Sequence, residues 1–527
     1  MHKDFFLKIK QDQKYFFKTY CTSSLEDLEM SSHLLAYSDK VRVELLLQDK
    51  AFLKVNKAAN LVEKIVKNSS APIYGVNTGF GFLSNQIISK EQLFLLQENL
   101  MKSHCCGIGE YLPRDIVAMM WLLRLNTFSR GYSGIRSSTI LHIISVLNSG
   151  ILGCVPSRGS VGASGDLSPA AHAALPLIEE CMCSIIDEGK IQYVSSSFAL
   201  EKYGLNKLTL APKEGLSLIN GVHLTTALTI KAYFKSESLL ELANLVAAMS
   251  LYASSSSNQI LRKDVLATYN QPGVSQTGLV LADWLDAELR GYPIGKEIQD
   301  PYSFRCIPQI HGSVYDALAF VKTTLMNELN TIHDNPLVLV DSGDVVSCGN
   351  FHGIYMAKML DTLSLNLISL ASCSERRINQ FMNFSSRNLP VFLIANPGVN
   401  SGMMMLHTTA VALLSEATSL AYPASVDNIP TNCDQEDHVS MGPIAGYKFL
   451  HLADLMKKIL AIELLVSCQA ADFINIEKMP AKLSKIHKLV RNKVDFLESD
   501  RVLSDDLIKI LELVDNKFHR LSDCLKF

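Results

Sequence analysis

Gly159-Ser160-Val161-Gly162-Ala163-Ser164-Gly165-Asp166-Leu167-Ser168-Pro169-Ala170-Ala171-His172 is the stretch on which the reading of this chain turns. Its centre, Ala163-Ser164-Gly165, has the residue types that a backbone cyclisation needs. When the backbone is bent hard, the amide nitrogen of Gly165 reaches the carbonyl carbon of Ala163. Loss of two waters then closes a five-membered imidazolone ring and leaves Ser164 as an exocyclic methylene. Protein side chains supply nucleophiles, acids and bases but no strong carbon electrophile, so such a ring does chemistry otherwise left to a cofactor.

The flanking residues fit this reading. Glycine suits the attacking position because a Cβ would obstruct the close backbone approach. Alanine is small, and serine has a hydroxyl to lose. Ser168-Pro169 followed by Ala170-Ala171-His172-Ala173-Ala174-Leu175 predicts an N-cap, a proline at the first helical position and a helix. The ring would then lie near the positive end of that helix, which favours electron density flowing into it.

Working outward, the chain has 527 residues, 48% of them apolar, and a formal net charge of -3. This length predicts two or three structural units. No basic stripe points to nucleic acid. The 12 cysteines show no disulfide-like frame, and none forms a metal-binding pattern with a second Cys or His pair. No metal is therefore expected. Met1-His2-Lys3-Asp4-Phe5 lacks the apolar run of a signal peptide, and the apolar helical runs are interrupted by Glu241, Asn244 and Asn366. A reduced, cytoplasmic protein with no membrane partner is the expectation.

Four long runs predict helices: His223–Gln271, which contains no Gly or Pro, Ile354–Phe381, Met403–Tyr422 and Tyr447–Ile474. Pro336 to Val346 predicts a small hairpin turning at Asp341-Ser342-Gly343-Asp344. The predicted fold is mainly α: a mixed N-terminal active-site region and a bundle of long antiparallel helices, similar to the fumarase/aspartase architecture. The Gly-Ser-Ser-x-Met-Pro loop of the fumarase-type enzymes is absent, so their chemistry is not predicted. The expected organisation is an N-terminal extension over 1–20, a ring-bearing domain over 21–215, a central long-helix bundle over 216–480 and a C-terminal helical segment over 481–527.

The 159–172 stretch resembles the signature of the aromatic amino acid lyase family, which comprises histidine, phenylalanine and tyrosine ammonia-lyases and related aminomutases. The resemblance recurs from about Tyr74 to Asp500-Arg501. It implies that Ala163-Ser164-Gly165 matures into 4-methylideneimidazole-5-one (MIO), with no external cofactor. It also implies a homotetramer whose active sites each draw residues from three chains.

Eliminating ammonia from an amino acid needs a base, a carboxylate clamp and a side-chain pocket beside the electrophile. Tyr74, in Tyr74-Gly75-Val76-Asn77-Thr78-Gly79, resembles the family's catalytic tyrosine on a mobile lid. A phenol titrates near 10, so the fold must stabilise the phenolate; the helix end and Arg305 are candidate sources of positive potential. Gln299-Asp300-Pro301-Tyr302-Ser303-Phe304-Arg305 predicts Asp300 as N-cap and Pro301 at the first helical position, with Tyr302 and Arg305 on one face. The resemblance makes Arg305 a bidentate carboxylate clamp, Tyr302 an orienting phenol and Gln299 part of the same wall. Asn220 matches the asparagine that contacts the substrate carboxylate or the ring oxygen, and Phe351 matches an aromatic wall.

Two positions address the substrate. Ser103-His104 resembles the pair in histidine-type members, where phenylalanine-type members have Phe-Leu and tyrosine-type members His-Leu. Glu436 is likewise a histidine-type residue: a carboxylate accepts an imidazole N–H, whereas beside a bare phenyl ring it would be buried unpartnered. The expected activity is a carbon–nitrogen lyase of histidine catabolism converting L-histidine to trans-urocanate. A phenylalanine or tyrosine lyase or 2,3-aminomutase on the same scaffold stands as the alternative, and a catalytically silent helical scaffold or amino acid binder as a third reading. Departures from the family pattern are Val222, His223, Asp434, Ile354 and the Tyr269-Asn270-Gln271-Pro272-Gly273 segment.

Overall fold

Every residue of the Arg114–Ser129 helix is buried. A helix buried on all sides belongs at the centre of a core, and this one is packed in the first of the two compact units into which the chain divides. The computed structural model describes residues 5–11, 14–18, 25–37, 41–47, 49–68, 71–286, 298–382, 389–474 and 476–517. Unit one comprises Met1–Lys231, Thr323–Met359 and Pro423–Tyr447; unit two comprises Ala232–Lys322, Leu360–Tyr422 and Lys448–Phe527.

The two arginines of the central helix carry charge into the core and donate to carbonyls, with Arg124 Nη2 left without a partner among the described residues. Arg114 donates from Nε to the Ala36 oxygen, from Nη1 to the Ser184 oxygen and from Nη2 to the Gly150 oxygen, each at 2.8 Å. Arg124 donates from Nη1 to the carbonyls of Ser217 and Asn220, at 2.5 and 2.9 Å. It thereby holds the turn that leads out of the Glu214–Ile219 helix. The same turn is fixed from its other end. Buried Lys213 donates to the Ser133 carbonyl at 2.8 Å and to Ser217 Oγ at 2.9 Å, and pairs with buried Asp334 at 3.2 Å.

Around this centre unit one carries small antiparallel sheets. Phe5–Gln11 pairs with Lys14–Lys18 and with Val41–Leu47. Met182–Asp187 pairs with Lys190–Ser195 and with Leu152–Gly153. The expected hairpin forms, with Leu337–Leu339 antiparallel to Asp344–Val346. It packs its Val338 with Val76 against Ala58 and Val62 of the amphipathic Asp49–Asn68 helix.

The long helices are present: His223–Ala253, Ile354–Phe381, Met404–Leu420 and Gly442–Asp472. The first is shorter than the unbroken run to Gln271 predicts. It stops at the Ser254-Ser255-Ser256-Ser257 run, where Ser255 adopts a left-handed φ of 50°. Serines compete for backbone hydrogen bonds and favour caps; Ser257 Oγ accepts from the Gln259 amide at 3.3 Å. In unit two Arg377 and Glu463, both fully buried, pair through Nε–Oε1 at 2.5 Å and Nη2–Oε2 at 2.9 Å. Ser250 Oγ donates to the same carboxylate at 2.6 Å. Among the described residues no helix is long and apolar enough to cross a membrane. The C-terminal segment holds the helices Ala481–Arg491 and Leu503–Lys517, and residues 518–527 lie outside the described residues.

Candidate active site

The Ala163-Ser164-Gly165 turn is as contorted as the sequence requires. Ser164 has a φ of 51°, left-handed for a non-glycine residue, and Gly165 has 86°. A Cβ at Gly165 would stand 2.4 Å from the Gly221 carbonyl oxygen, so no other residue fits there. Immediately after the turn, the Asp166 amide donates to that same oxygen at 2.8 Å. A non-glycine residue in the left-handed region costs energy and persists only where its surroundings hold it. Here the holding groups are polar. Asn220 Nδ2 donates to the Ser164 carbonyl at 3.3 Å, and Ser164 Oγ donates to Glu436 Oε1 at 2.7 Å.

The helix that follows runs Leu167–Ala174, so Ser168 and Pro169 lie inside its first turn and Asp166 takes the cap position. Asp166 does not cap through its side chain. Its carboxylate instead accepts from Thr225 N at 2.8 Å and Thr225 Oγ1 at 2.9 Å, tying the turn to the His223–Ala253 helix. Burial raises its pKa to about 6, against the hydrogen bonds that lower it.

These residues face a cavity of about 790 Å³ whose wall includes Tyr74, Ser103, His104, Ala163, Ser164, Gly165, Asn220 and Glu436. Tyr74 Oη accepts from the Gly81 amide at 3.4 Å. Burial, and secondarily the charge of Glu436, raise the phenol pKa above its ordinary value; the Gly81 hydrogen bond opposes them. The stabilised phenolate expected from the sequence is thus not provided by these neighbours. His104 Nδ1 lies 2.8 Å from the Leu100 carbonyl, which places the proton on Nδ1 and leaves Nε2 as an acceptor.

Glu436 is set by an unusual turn. Thr431 and Glu436 bridge through backbone hydrogen bonds of 3.1 and 3.3 Å, and Asn432, Cys433 and Asp434 between them all have left-handed φ. Asn and Asp tolerate that region better than most residues, which explains why Asp434 fits where the family usually has asparagine. Thr431 Oγ1 donates to Glu436 Oε2 at 2.9 Å. Asn432 Nδ2 occupies the space a Cβ on Gly81 would need, at 1.9 Å, and so joins this turn to the Tyr74 loop.

The remaining predicted residues are elsewhere. Phe351 is half-buried on the turn before the Ile354–Phe381 helix and does not line the cavity. Gln299, Tyr302 and Arg305 belong to unit two. The helix there is Tyr302–Arg305 only, with Pro301 at the cap; Asp300 instead accepts from the Ser257 amide at 2.8 Å. Tyr302 and Arg305 do share a face: the guanidinium lies 4.5 Å from the phenol ring centroid. Gln299 is exposed, Tyr302 is 69% exposed, and buried Arg305 Nε has no hydrogen-bond partner among the described residues. Sequence reasoning assigned no part to Asp166, Thr431 or Asn432. Asp166 stood within the opening stretch, and its signal was a carboxylate at a helix start.

Comparison with known proteins bears on the whole of this arrangement. A family model described as aromatic amino acid lyase matches residues 31–492. The chain belongs to that family. It is therefore a carbon–nitrogen lyase by descent. A histidine ammonia-lyase of Legionella pneumophila (strain Lens) is 40% identical over 480 residues, covering 90% of this chain and 94% of that protein. The crystal structure of histidine ammonia-lyase from Trypanosoma cruzi superposes with a TM-score of 0.84 at 35% identity, covering 96% of this chain and 93% of that one. The ergothioneine-degrading ergothionase of Treponema denticola superposes with a TM-score of 0.86 at 29% identity, covering 96% and 98%.

Proposed function

We propose that the protein eliminates ammonia from L-histidine to give trans-urocanate, using an MIO ring formed from Ala163, Ser164 and Gly165. The observation that carries this is Glu436 Oε1 at 2.7 Å from Ser164 Oγ, within the cavity that Tyr74, His104 and Asn220 also line. The residues fit the ring. The turn is already bent, and cyclisation removes the Ala163 carbonyl oxygen and the Ser164 hydroxyl. The Ser164 carbonyl oxygen, to which Asn220 Nδ2 donates, is the one the ring keeps. MIO supplies the carbon electrophile that the side chains lack.

Loss of the Ser164 hydroxyl leaves Glu436 Oε1 as an acceptor facing the cavity, while Thr431 continues to hold Oε2. That free lone pair suits an imidazole N–H and has no use beside a phenyl ring. His104 Nε2 adds a second polar contact for a histidine side chain. Tyr74 takes the β-proton as phenolate. Arg305 grips the substrate carboxylate, with Tyr302 and Gln299 beside it. We further propose a cytoplasmic homotetramer in which these three residues come to the cavity from a neighbouring copy. The exposure of Tyr302 and the unpartnered Nε of Arg305 support that arrangement.

A panel of L-histidine, L-phenylalanine and L-tyrosine, followed by the ultraviolet absorbance of the products, tests the substrate. Histidine alone should react. Turnover of either other substrate without turnover of histidine would reject the roles of His104 and Glu436. Glu436→Gln should lower histidine turnover while leaving intact mass and assembly unchanged.

A further inference from the structure

Two thiols that this reaction does not use meet beside the cavity. Cys105, the residue capping the Leu93–His104 helix, has its Sγ 3.5 Å from Cys181 Sγ and 3.1 Å from His172 Nδ1. The Gly107 amide donates to His172 Nε2 at 3.0 Å, so the ring proton is on Nδ1 and points at the Cys105 sulfur. Burial holds the His172 pKa below its ordinary value, so the ring is a neutral donor. The same seam is bridged one step away by Lys102 and Glu180 at 2.9 Å. Cys181 is exposed and Cys105 half-buried. Both are free thiols, held in register by a histidine, an ion pair and the surrounding backbone.

We propose that Cys105 and Cys181 form a redox-active dithiol that a hydroperoxide converts to a disulfide, and that the disulfide acts on the cavity wall at His104–Cys106. Exposed Cys181 meets the oxidant first. Its thiolate attacks the hydroperoxide oxygen and becomes a sulfenic acid, releasing water or an alcohol. The Cys105 thiol then attacks that sulfur, the S–S bond forms and a second water leaves. Two thiol protons and two electrons are given up, and the hydroperoxide is reduced.

Closing the bond takes the sulfurs from 3.5 Å to about 2.05 Å. The movement is shared by Cys105, whose amide is held by the Lys102 carbonyl at 3.2 Å, and reaches the cavity wall through it. The Cys181 carbonyl is held by Ser196 through N at 3.1 Å and Oγ at 2.8 Å, at the base of the hairpin. Cys105 lies in a turn between His104 and Cys106, both of which line the cavity. A displacement of this size near a substrate-contacting side chain costs up to about 10²-fold in turnover. The effect on turnover rests on the histidine-lyase reading; formation of the disulfide does not.

The test uses the full chain, reduced, desalted, treated with hydrogen peroxide and then alkylated for non-reducing peptide mapping. A Cys105–Cys181 cross-linked peptide is expected, absent in Cys181→Ser. The kcat/KM for histidine should fall by up to about 10²-fold and recover with dithiothreitol, and Cys181→Ser should keep its activity under peroxide. Recovery of Cys105 and Cys181 alkylated, over-oxidised or joined to other cysteines overturns the dithiol. Full cross-linking with unchanged kcat/KM overturns the link to the cavity. A reduced enzyme that turns over no histidine overturns the proposed function instead, and the peptide map still decides the disulfide.

Discussion

The Ala163–Gly165 turn and the Tyr302–Arg305 segment both carry groups the proposed reaction needs, and they are built in opposite ways. The first has a polar partner at each step: Asn220 on the Ser164 carbonyl, Glu436 on its hydroxyl and Thr225 on the following carboxylate. Its strained backbone is overdetermined, so the turn is presented in one conformation within a single unit. The second is a four-residue helix whose tyrosine is 69% exposed and whose arginine has a buried Nε without a partner among the described residues. A group that must be rigid before the substrate arrives is locked by its own unit. A group that must grip the substrate keeps its hydrogen-bonding capacity open.

The largest expected effect tests the rigid side. Ser164→Ala removes the hydroxyl whose loss completes the ring. Intact mass should then show no loss of two waters, and histidine turnover should fall by about 10³-fold or more, the scale on which one preorganised electrophilic element acts. A wild-type mass without that loss would break the comparison at its root. The next effect tests the open side. Arg305→Lys replaces a planar fork with a point charge and should lower kcat/KM by about 10²-fold, mainly through KM. It should leave the mass of the mature protein unchanged. An altered mass would mean that Arg305 serves the turn and that the two regions are not separate.

Two smaller effects sharpen the rigid side. Tyr74 acts as a base only when ionised, so kcat/KM should rise with pH toward a phenol pKa that burial and Glu436 hold above its ordinary value. Glu436→Gln removes the charge contribution, so the rising limb should move to lower pH. A limb that moves upward would contradict the sign. Asp166, with its pKa raised to about 6, binds more protons folded than unfolded between its two pKa values. Stability should therefore decline as pH rises from about 4 to 6, by up to about 3 kcal/mol, and hold level above that. Urea midpoints of wild type and Asp166→Asn across this range measure it, and Asp166→Asn should show the smaller decline.

Much of this was legible in the chain. The opening stretch predicted a hard-bent turn followed by a helix, and the structure contains both, with the helix starting at Leu167 rather than after a Ser168 cap. The Pro336–Val346 hairpin and the Ile354–Phe381 helix were read from short-range pattern, which is the only information those elements need. The end of the His223–Ala253 helix was misread because serine is a mild helix breaker, and four in succession act together through caps and one left-handed residue. Asp300 was misread as a cap because its nearest amide in space, that of Ser257, is distant in sequence.

Sequence alone determined the groups on which the proposed chemistry rests: a tripeptide with the residue types for cyclisation, a tyrosine, an arginine and a carboxylate, each recognisable from its own few neighbours. Tertiary structure decided which of them share one cavity. It brought Glu436 against Ser164 across 272 positions of chain, and through Arg124 and the buried Lys213–Asp334 pair it held the turn from which Asn220 reaches the Ser164 carbonyl. Among the described residues it also left Arg305 Nε unpartnered. Local pattern reports what a segment does with its own backbone; the direction and company of a side chain depend on contacts that no segment contains.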